Sequence, residues 1–173
     1  MTPFALRALL AALALGPVLA AGSAPAQEAA QTSAEQNVEA RETPWQVNCT
    51  PAAEGGGMEC SMVKSLVQAD GDRIFAQAAV VAGEPFTMRL LAPHGMALAD
   101  GVKVEVDGRE VASAPYRTSL PGGVVAVIDL TPELEGTLRF GTQMRVEGVQ
   151  NNGAALAFQM SLSGFSASID KLR

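Results

Sequence analysis

The chain has 173 residues, which is enough for one domain of ordinary size after removal of any leader. Charged residues make up 17% and hydrophobic residues 48%, so most of the chain is able to bury a core and is not disordered. The formal net charge of −6 excludes the basic footprint of a nucleic-acid-binding protein and offers no attraction to anionic lipid. The 17 glycines and 10 prolines favour many short strands over a helical bundle.

The first residues are typical of a secretory signal peptide. Arg7 supplies a positive start, Leu9 to Ala21 is apolar, and Ala24-Pro25-Ala26 offers small residues on both sides of a cleavage site. We expect cleavage after Ala26. The alternative is a membrane anchor, but the apolar run is shorter than the ~20 residues that span a bilayer. The leader carries one Arg and no acid, so the mature charge becomes −6 − 1 = −7.

Export changes the interpretation of the two cysteines, Cys49 and Cys60. Outside the cytoplasm a cysteine pair is usually a disulfide. A metal site is the first alternative, but two thiolates with one distant histidine are a poor zinc set. A redox pair is the second, but a C-x-x-C motif is absent. We therefore predict a structural disulfide, worth roughly 3 kcal/mol for a loop of about 12 residues.

The mature chain begins with a polar stretch and then shows a series of short strands. Residues 27–43 lack large apolar side chains and predict a flexible N-terminus, followed by the folded domain over residues 44–173. Alternation or β-branched content predicts strands at Trp45–Cys49, Met58–Val67, Arg73–Val81, Phe86–Leu91, Val102–Val106, Glu110–Ala114, Val124–Leu130, Gln143–Val149 and Ala155–Leu162. Among these, Val124–Leu130 is apolar enough for a central strand buried on both faces. A short helix remains an alternative within Arg73–Val81.

Turn signals and helix signals lie between and after these strands. Asp107-Gly108 is a strong hairpin signal, and Asp70–Asp72 and Asn151–Gly153 are also turns. Thr131 followed by Pro132 is typical of a helix start, with Leu134 and Leu138 one turn apart and Gly141 able to end the helix. Phe165, Ile169 and Leu172 share a helical spacing and predict a short closing helix.

Many short antiparallel strands with two short helices indicate an all-β protein. We predict an antiparallel β-sandwich, with a small closed barrel as the competing architecture. Trp45, the single tryptophan, is interpreted as a core residue beside the disulfide rather than as a binding residue.

A set of turn, cysteine and aromatic landmarks runs in order from about Trp45 to Leu172. It comprises Trp45-x-Val47-x-Cys49, Cys60, Pro93-His94-Gly95, Leu98, Gly101-Val102, Val106-Asp107-Gly108, Pro115-Tyr116, Leu120-Pro121-x-Gly123, Leu138, Gly141 and Ser161-Leu162-x-Gly164-Phe165. In order and spacing the set resembles the invasion-associated locus B family of exported bacterial proteins. The resemblance implies an immunoglobulin-like antiparallel β-sandwich, located in the periplasm, at the outer membrane or outside the cell. Namesake members are implicated in entry into host cells.

The chain departs from the family pattern at one place. After the tyrosine the family shows a second cysteine pair, whereas this chain has Ser119 and Val124 at those positions. Both cysteines are missing together, as expected if they form one disulfide. We therefore expect Tyr116 to Val124 to be a less cross-linked and more mobile loop. We identify it as a possible interaction loop, with Tyr116, Arg117, Leu120 and Pro121 as its candidate contact residues.

The search for chemistry assigns no catalytic residue, no metal site and no cofactor. His94, the only histidine, lies in a Pro-His-Gly corner and is interpreted as a surface turn residue. Glu133 and Glu135 lie at a helix start, where carboxylates favour the dipole. Met58 and Met62 are the best copper candidates, but we interpret both as strand residues of the core.

The sequence thus predicts a non-enzymatic, envelope-associated protein whose partner is an unidentified envelope or host protein. Nucleic acid is not an expected partner, no transmembrane span is expected after cleavage, and the oligomeric state is left open. The first alternative is a periplasmic module that binds a small ligand or a metal. The second is an envelope hydrolase that uses Ser119, His94 or Asp129.

Overall fold

The computed structural model describes residues 40–52, 57–69 and 73–173. Within them the strands are β1 (Ala40–Glu42), β2 (Gln46–Pro51), β3 (Met58–Gln68), β4 (Ile74–Val81), β5 (Phe86–Ala92), β6 (Val102–Val106), β7 (Arg109–Ala114), β8 (Tyr116–Leu120), β9 (Gly123–Leu130), β10 (Gln143–Val149) and β11 (Ala155–Ser161). The helices are α1 (Pro132–Phe140) and α2 (Phe165–Ile169). A 3-10 turn, Asp170–Leu172, follows α2.

The strands form two antiparallel sheets. The larger has the order β1-β3-β4-β5-β9-β8, with β2 pairing along the other half of β3, and the smaller has the order β11-β10-β6-β7. The predicted β-sandwich is therefore confirmed. The closed barrel is wrong, because each sheet begins and ends in an edge strand. The strand interpretation of residues 73–81 is also confirmed, since β4 occupies Ile74–Val81.

The core lies between the two sheets and follows the alternation of the sequence. In β6, Val102, Val104 and Val106 are buried while Lys103 is exposed. The Asp107-Gly108 hairpin is present, with both residues at positive φ, 50° and 80°. The Asp107 carboxylate also accepts hydrogen bonds from the backbone N–H groups of Thr142 and Gln143. This turn therefore joins the β6–β7 hairpin to the start of β10.

Both predicted helices are present and bury their predicted faces. The Thr131 hydroxyl accepts a hydrogen bond from the Leu134 N–H at 3.2 Å, and Pro132 occupies the first turn of α1. Phe165, Ile169 and Leu172 are all buried. Trp45 packs edge-on against Phe165, with ring centroids 5.3 Å apart, which confirms that it is a core residue.

The disulfide between Cys49 and Cys60 is present and joins β2 to β3. The two residues are directly opposed in the antiparallel ladder, and their Cα atoms are 4.0 Å apart. Such close opposition is typical of the narrow pairs of an antiparallel ladder. Of the turn residues between these strands, 53–56 lie outside the described residues, as do Asp70–Asp72 of the next predicted turn.

The structure corrects the predicted start of the fold. Ala40–Glu42, assigned above to the flexible N-terminus, forms β1 and pairs with β3. The Glu42 carboxylate lies 3.0 Å from the Lys64 Nζ, and it accepts a hydrogen bond from the Ser161 N–H on the other sheet at 3.1 Å. Polar contacts of this kind hold β1 in place, and a pattern of apolar residues does not reveal them.

Two further strand predictions need correction. The predicted loop Tyr116 to Val124 is a hairpin in which β8 pairs with β9 and Ser119 lies opposite Val124. In β9, predicted as a central strand buried on both faces, Asp129 is exposed. The other seven residues of β9, which lies between β5 and β8, are buried or half-buried, so the prediction holds for the rest of the strand.

Candidate functional site

A cleft of about 620 Å³ lies at one end of the larger sheet, where the β8–β9 hairpin meets the corner that follows β5. We call it the hairpin cleft and define it by Gln68, Arg73, Ile74, Phe75, Pro93, His94, Pro121 and Gly122. The register explains why these residues meet. Ala92 at the end of β5 pairs with Val124 near the start of β9, and β4 runs antiparallel on the other side of β5.

The hairpin itself is built by its turn residues. Pro121 and Gly122 form the turn between Leu120 and Gly123, which are paired in the ladder. A Cβ atom at Gly123 would collide with the carbonyl oxygen of Ala92, so only glycine permits this close approach of β9 to β5. The tip of the hairpin is thereby held beside the Pro93-His94-Gly95 corner.

His94 links that corner to the hairpin. Its Nε2 atom lies 3.3 Å from the carbonyl oxygen of Pro121, to which it donates in the tautomer that is protonated at this nitrogen. The histidine is exposed, as expected of a surface turn residue. Its role in the structure is to connect two loops rather than to face a second titratable group.

Apolar side chains stand exposed around the hairpin cleft. Ile74 is 42% exposed, and Leu120, next to the lining residue Pro121, is 50% exposed. Arg73 is the one Lys or Arg among the lining residues. The cleft therefore combines an apolar surface with a single fixed positive charge, which suits an apolar segment that also carries a carboxylate.

The structure separates the four predicted interaction residues. Pro121 lines the hairpin cleft, and Leu120 is exposed directly before it in the chain. Arg117 is exposed on the edge strand, where the β8–β9 register shifts. Tyr116 lies at the other end of β8 and is half-buried, and its hydroxyl has no hydrogen-bond partner in the described part of the chain. Burial raises the pKa of Tyr116 to about 12. Tyr116 is thus a packing residue, whereas the other three remain available to a partner.

Ile74, Phe75 and Arg73 were not found by the sequence reasoning. Ile74 has the same parity as the buried residues Ala76 and Ala78, so alternation places it in the core. The register of β3 against β4 shifts between Leu66 and Val67, just where β4 begins, and Ile74 lies beyond that irregularity. The sequence contains no signal that would locate this bulge.

A second cleft, of about 680 Å³, lies beside the helices. We call it the helix cleft; its apolar lining includes Phe86, Leu130 and Leu172, and its charged lining includes Glu135 and Arg173. Glu135 accepts hydrogen bonds from Arg139 Nε and Arg173 Nη2, both at 2.7 Å. Burial raises the pKa of this carboxyl, but the hydrogen bonds from Arg139 and Arg173 outweigh burial, so its pKa is lowered. Glu135 lies in the first turn of α1, as predicted, and in addition joins α1 to Arg173.

The residues considered for catalysis or metal binding do not converge. Asp129 lies five positions along β9 from Val124, the partner of Ser119, which is a separation of about 17 Å. No group of three or more His, Cys, Asp or Glu side chains suited to a metal occurs among residues 40–52, 57–69 and 73–173. Met62 is fully buried, whereas Met58 is 61% exposed, so the assignment of Met58 to the core was wrong. The two methionines lie four positions apart on β3, about 13 Å, and do not form one site.

The helices in the described ranges are too short or too polar to span a bilayer. Comparison with known proteins gives a consistent result. At 26% identity over 130 residues, which is 75% of each protein, the chain matches invasion protein B homologs of Brucella abortus strain 2308 and of its biovar 1 strain 9-941.

The fold resembles a crystal structure of invasion associated protein B from Bartonella henselae. The TM-score is 0.66 at 24% identity, covering 74% of this chain and 89% of that one. The model of the invasion associated locus B (IalB) protein family matches residues 45–173. This match covers the whole sandwich from Trp45 onward, and the chain therefore belongs to the invasion associated locus B family.

Proposed function

We propose that the chain is an exported, non-enzymatic protein of the bacterial envelope that binds a partner protein through the hairpin cleft. The observation that carries this proposal is the pair of exposed apolar side chains, Ile74 and Leu120, around a cleft that also contains Arg73. Fully burying a side chain of this size is worth about 1.5–3 kcal/mol, so a partner that covers both gains a substantial part of its affinity there.

The partner best suited to this surface is a protein segment with apolar side chains and one carboxylate. Apolar groups would cover Ile74, Leu120 and Pro121, and the carboxylate would pair with the guanidinium of Arg73. The hairpin is braced by the bond between His94 and Pro121, so the partner meets a largely preformed surface.

Export is supported by the first 26 residues and by the disulfide. The leader has the composition of a signal peptide, and the disulfide is the expected state of a cysteine pair in an oxidising compartment. We propose that the mature protein begins at Gln27 and is located in the periplasm, at the outer membrane or outside the cell. Cell fractionation with mass spectrometry tests this, and an unprocessed cytoplasmic protein with two free thiols would contradict it.

The names of the relatives suggest what the binding serves. The Brucella proteins are named invasion protein B homologs and the Bartonella protein is named invasion associated protein B. We carry over from these names a role in host-cell invasion, and we propose a function within the envelope as the alternative. The identity of the partner distinguishes the two roles.

A substitution experiment tests the binding proposal. Tagged wild-type protein and the double variant Ile74→Lys/Leu120→Lys are used to capture proteins from envelope extracts and from host-cell surface extracts. The matched control is Phe140→Lys, because Phe140 is 91% exposed on α1 and does not line the hairpin cleft. We expect wild type and control to retain the same partner and the double variant to lose it. A partner that is retained equally by all three proteins would contradict the proposal.

The second candidate function is binding of a small apolar ligand in the helix cleft. It is favoured by the apolar lining of Phe86, Leu130 and Leu172, in a cleft of about 680 Å³, within the size range of small-molecule sites. Thermal denaturation in the presence of fatty acids and aromatic acids tests this function, with copper, zinc and calcium ions testing the metal alternative. If none of these additions shifts the thermal stability, both the apolar-ligand function and the metal-binding alternative are eliminated.

A further inference from the structure

Among the residues that the structure describes, strand β11 is an edge strand of the smaller sheet that lacks the usual protection against pairing. It pairs with β10 over seven consecutive residue pairs without a register shift, and its sequence, ALAFQMS, contains no charged residue and no proline. Natural edge strands are normally short, bulged or interrupted by proline or charge, because an open edge is a template for another strand.

The other edge strands of the described residues carry such protection. In the larger sheet, β1 has only three residues and includes Arg41 and Glu42, and β2 ends at Pro51. Strand β8 has a register shift and lies between Pro115 and Pro121. In the smaller sheet, β7 contains Arg109 and Glu110, and its pairing with β6 also shifts register. The open edge of β11 is therefore a specific feature of that strand and not a general property of the fold.

The hydrogen bonds at the two ends of β11 show which backbone groups face outward. Gln150 N–H donates to the Ala154 carbonyl and Leu162 N–H donates to the Thr142 carbonyl, so these pairs are hydrogen-bonded. Hydrogen-bonded and non-hydrogen-bonded residue pairs alternate along an antiparallel ladder. The backbone N–H and C=O groups of the intervening residues therefore point away from β10; these residues are Ala155, Ala157, Gln159 and Ser161. The Ser161 N–H donates to the Glu42 carboxylate, which confirms this direction.

We propose that the free edge of β11 pairs antiparallel with the same edge of a second copy of the chain. A two-fold axis through Ala157 places Ala157 opposite its own copy and Ala155 opposite Gln159 of the second copy. Each opposed pair then consists of residues whose N–H and C=O groups face outward, which is the requirement for an antiparallel ladder. Ser161 remains bonded to Glu42 and takes no part. The result is a continuous eight-stranded sheet across two molecules.

The outward-facing edge is self-complementary about Ala157, and its charge and side-chain size permit a second copy as the occupant. The chain carries a formal charge of −6, so two copies repel each other over most of their surfaces. Strand β11 is neutral, and the charges on the neighbouring strand neutralise one another, since Arg145 Nη1 lies 2.7 Å from Glu147 Oε2. Alanine at positions 155 and 157 leaves room for the backbones to approach. The uncharged strand is thus a place where two copies meet without repulsion.

Single-cysteine variants test the register. In the proposed dimer the two Ala157 Cα atoms are about 5.5 Å apart, within the range of a disulfide, whereas the two Ala155 Cα atoms are more than about 13 Å apart. We expect Ala157→Cys to form a covalent dimer on oxidation and the matched control Ala155→Cys to remain monomeric. Equal cross-linking of both variants, or of neither, would overturn the proposal.

Sedimentation of the otherwise native protein tests the association itself. Wild type should show a concentration-dependent monomer–dimer equilibrium. Gln159→Lys, at an exposed position and with its fold checked by circular dichroism, should weaken the dimer by about tenfold or more. Ser113→Lys, at an exposed position on β7, should not. A wild-type protein that stays monomeric at every concentration, or an effect of Ser113→Lys as large as that of Gln159→Lys, would contradict the proposal.

Discussion

Single residues in this protein carry polar interactions that the hydrophobic pattern does not show. Lys64 is 4% exposed in strand β3 and pairs with Glu42, while Tyr116 buries its hydroxyl without a partner in the described part of the chain. Alternation along a strand shows only which face a side chain occupies. It identified the valines of β6 correctly, but it gave no indication that a lysine lies inside or that a tyrosine oxygen is left unpaired.

Tyr116 offers a direct test because it is the only tyrosine in the chain. Its pKa in the folded state is raised to about 12 by burial, whereas an unfolded tyrosine has a pKa of about 10. Phenolate absorbance of the native protein should therefore rise near pH 12. Because the folded pKa is the higher, stability is full below about pH 10 and is lost as pH rises toward 12.

The variant Tyr116→Phe removes both the buried hydroxyl and its titration at alkaline pH. It eliminates an unpaired buried hydroxyl, so we expect the free energy of unfolding at neutral pH to be unchanged or raised. It should also remove the contribution of this group to the alkaline loss of stability. Chemical denaturation at pH 7 and pH 11 measures both quantities. A large loss of stability at pH 7 would show that the hydroxyl has a partner.

The Lys64–Glu42 pair should behave as a buried ion pair with one partly exposed member. Glu42→Gln leaves the buried ammonium without its counter-charge, and we expect a loss of about 2–4 kcal/mol in the free energy of unfolding. The double variant Glu42→Gln/Lys64→Met removes the buried charge as well and should recover most of that loss. Urea denaturation of the wild type, the two single variants and the double variant measures the coupling. A double variant less stable than either single variant would contradict this account.

At the scale of elements, most strands and both helices were predictable from the sequence. The helix α1 follows from Thr131 and Pro132 at its start, and the β6–β7 hairpin follows from Asp107-Gly108. The elements that were missed depend on contacts distant in sequence. Strand β1 is held by Glu42, which bonds to Ser161 at a separation of 119 positions. Strand β8 was predicted to be a loop because the second cysteine pair of the family is missing there, but its pairing with β9 orders it.

The native disulfide and a second, designed one give matched predictions for two hairpins. Cys49→Ser should lower the free energy of unfolding by about 2–4 kcal/mol by freeing the β2–β3 loop in the unfolded chain. Ser119 and Val124 are directly opposed in the β8–β9 hairpin, as Cys49 and Cys60 are in theirs. The variant Ser119→Cys/Val124→Cys should form a disulfide that adds about 2 kcal/mol. Mass spectrometry and urea denaturation check both, and two unreacted thiols at positions 119 and 124 would contradict the register.

At the scale of the whole molecule, an ion-pair network fixes the end of the chain to the sandwich. Arg139 bonds to Glu135 at 2.7 Å and to Asp170 at 2.6 Å, and Arg173 bonds to Glu135 and lies over the Phe86 ring at 5.3 Å. The network covers the end of the sandwich where α2 buries Phe165. The sequence shows the charged residues but does not predict that they form ion pairs, because Glu135 and Arg173 are 38 positions apart.

This network predicts a particular loss of stability in acid. The pKa of Glu135 is lower in the folded than in the unfolded state, despite burial, because Arg139 and Arg173 bond to the carboxylate. Its contribution is therefore present above the unfolded pKa of about 4.3 and is lost as pH falls through the lower folded pKa. Glu135→Gln should be less stable than wild type at pH 7, and the difference should shrink toward acid. A difference that does not change with pH would contradict the assignment.

The central claim is that the hairpin cleft is the surface through which this protein binds a partner. The most direct measurement places a photo-cross-linking amino acid at Leu120 and, in a control, at the more exposed Phe140 in living cells. We predict one discrete adduct from position 120 that is lost when Arg73→Glu is added, and no such adduct from position 140. The same adduct from both positions, or an adduct from position 120 that persists with Arg73→Glu, would contradict the claim.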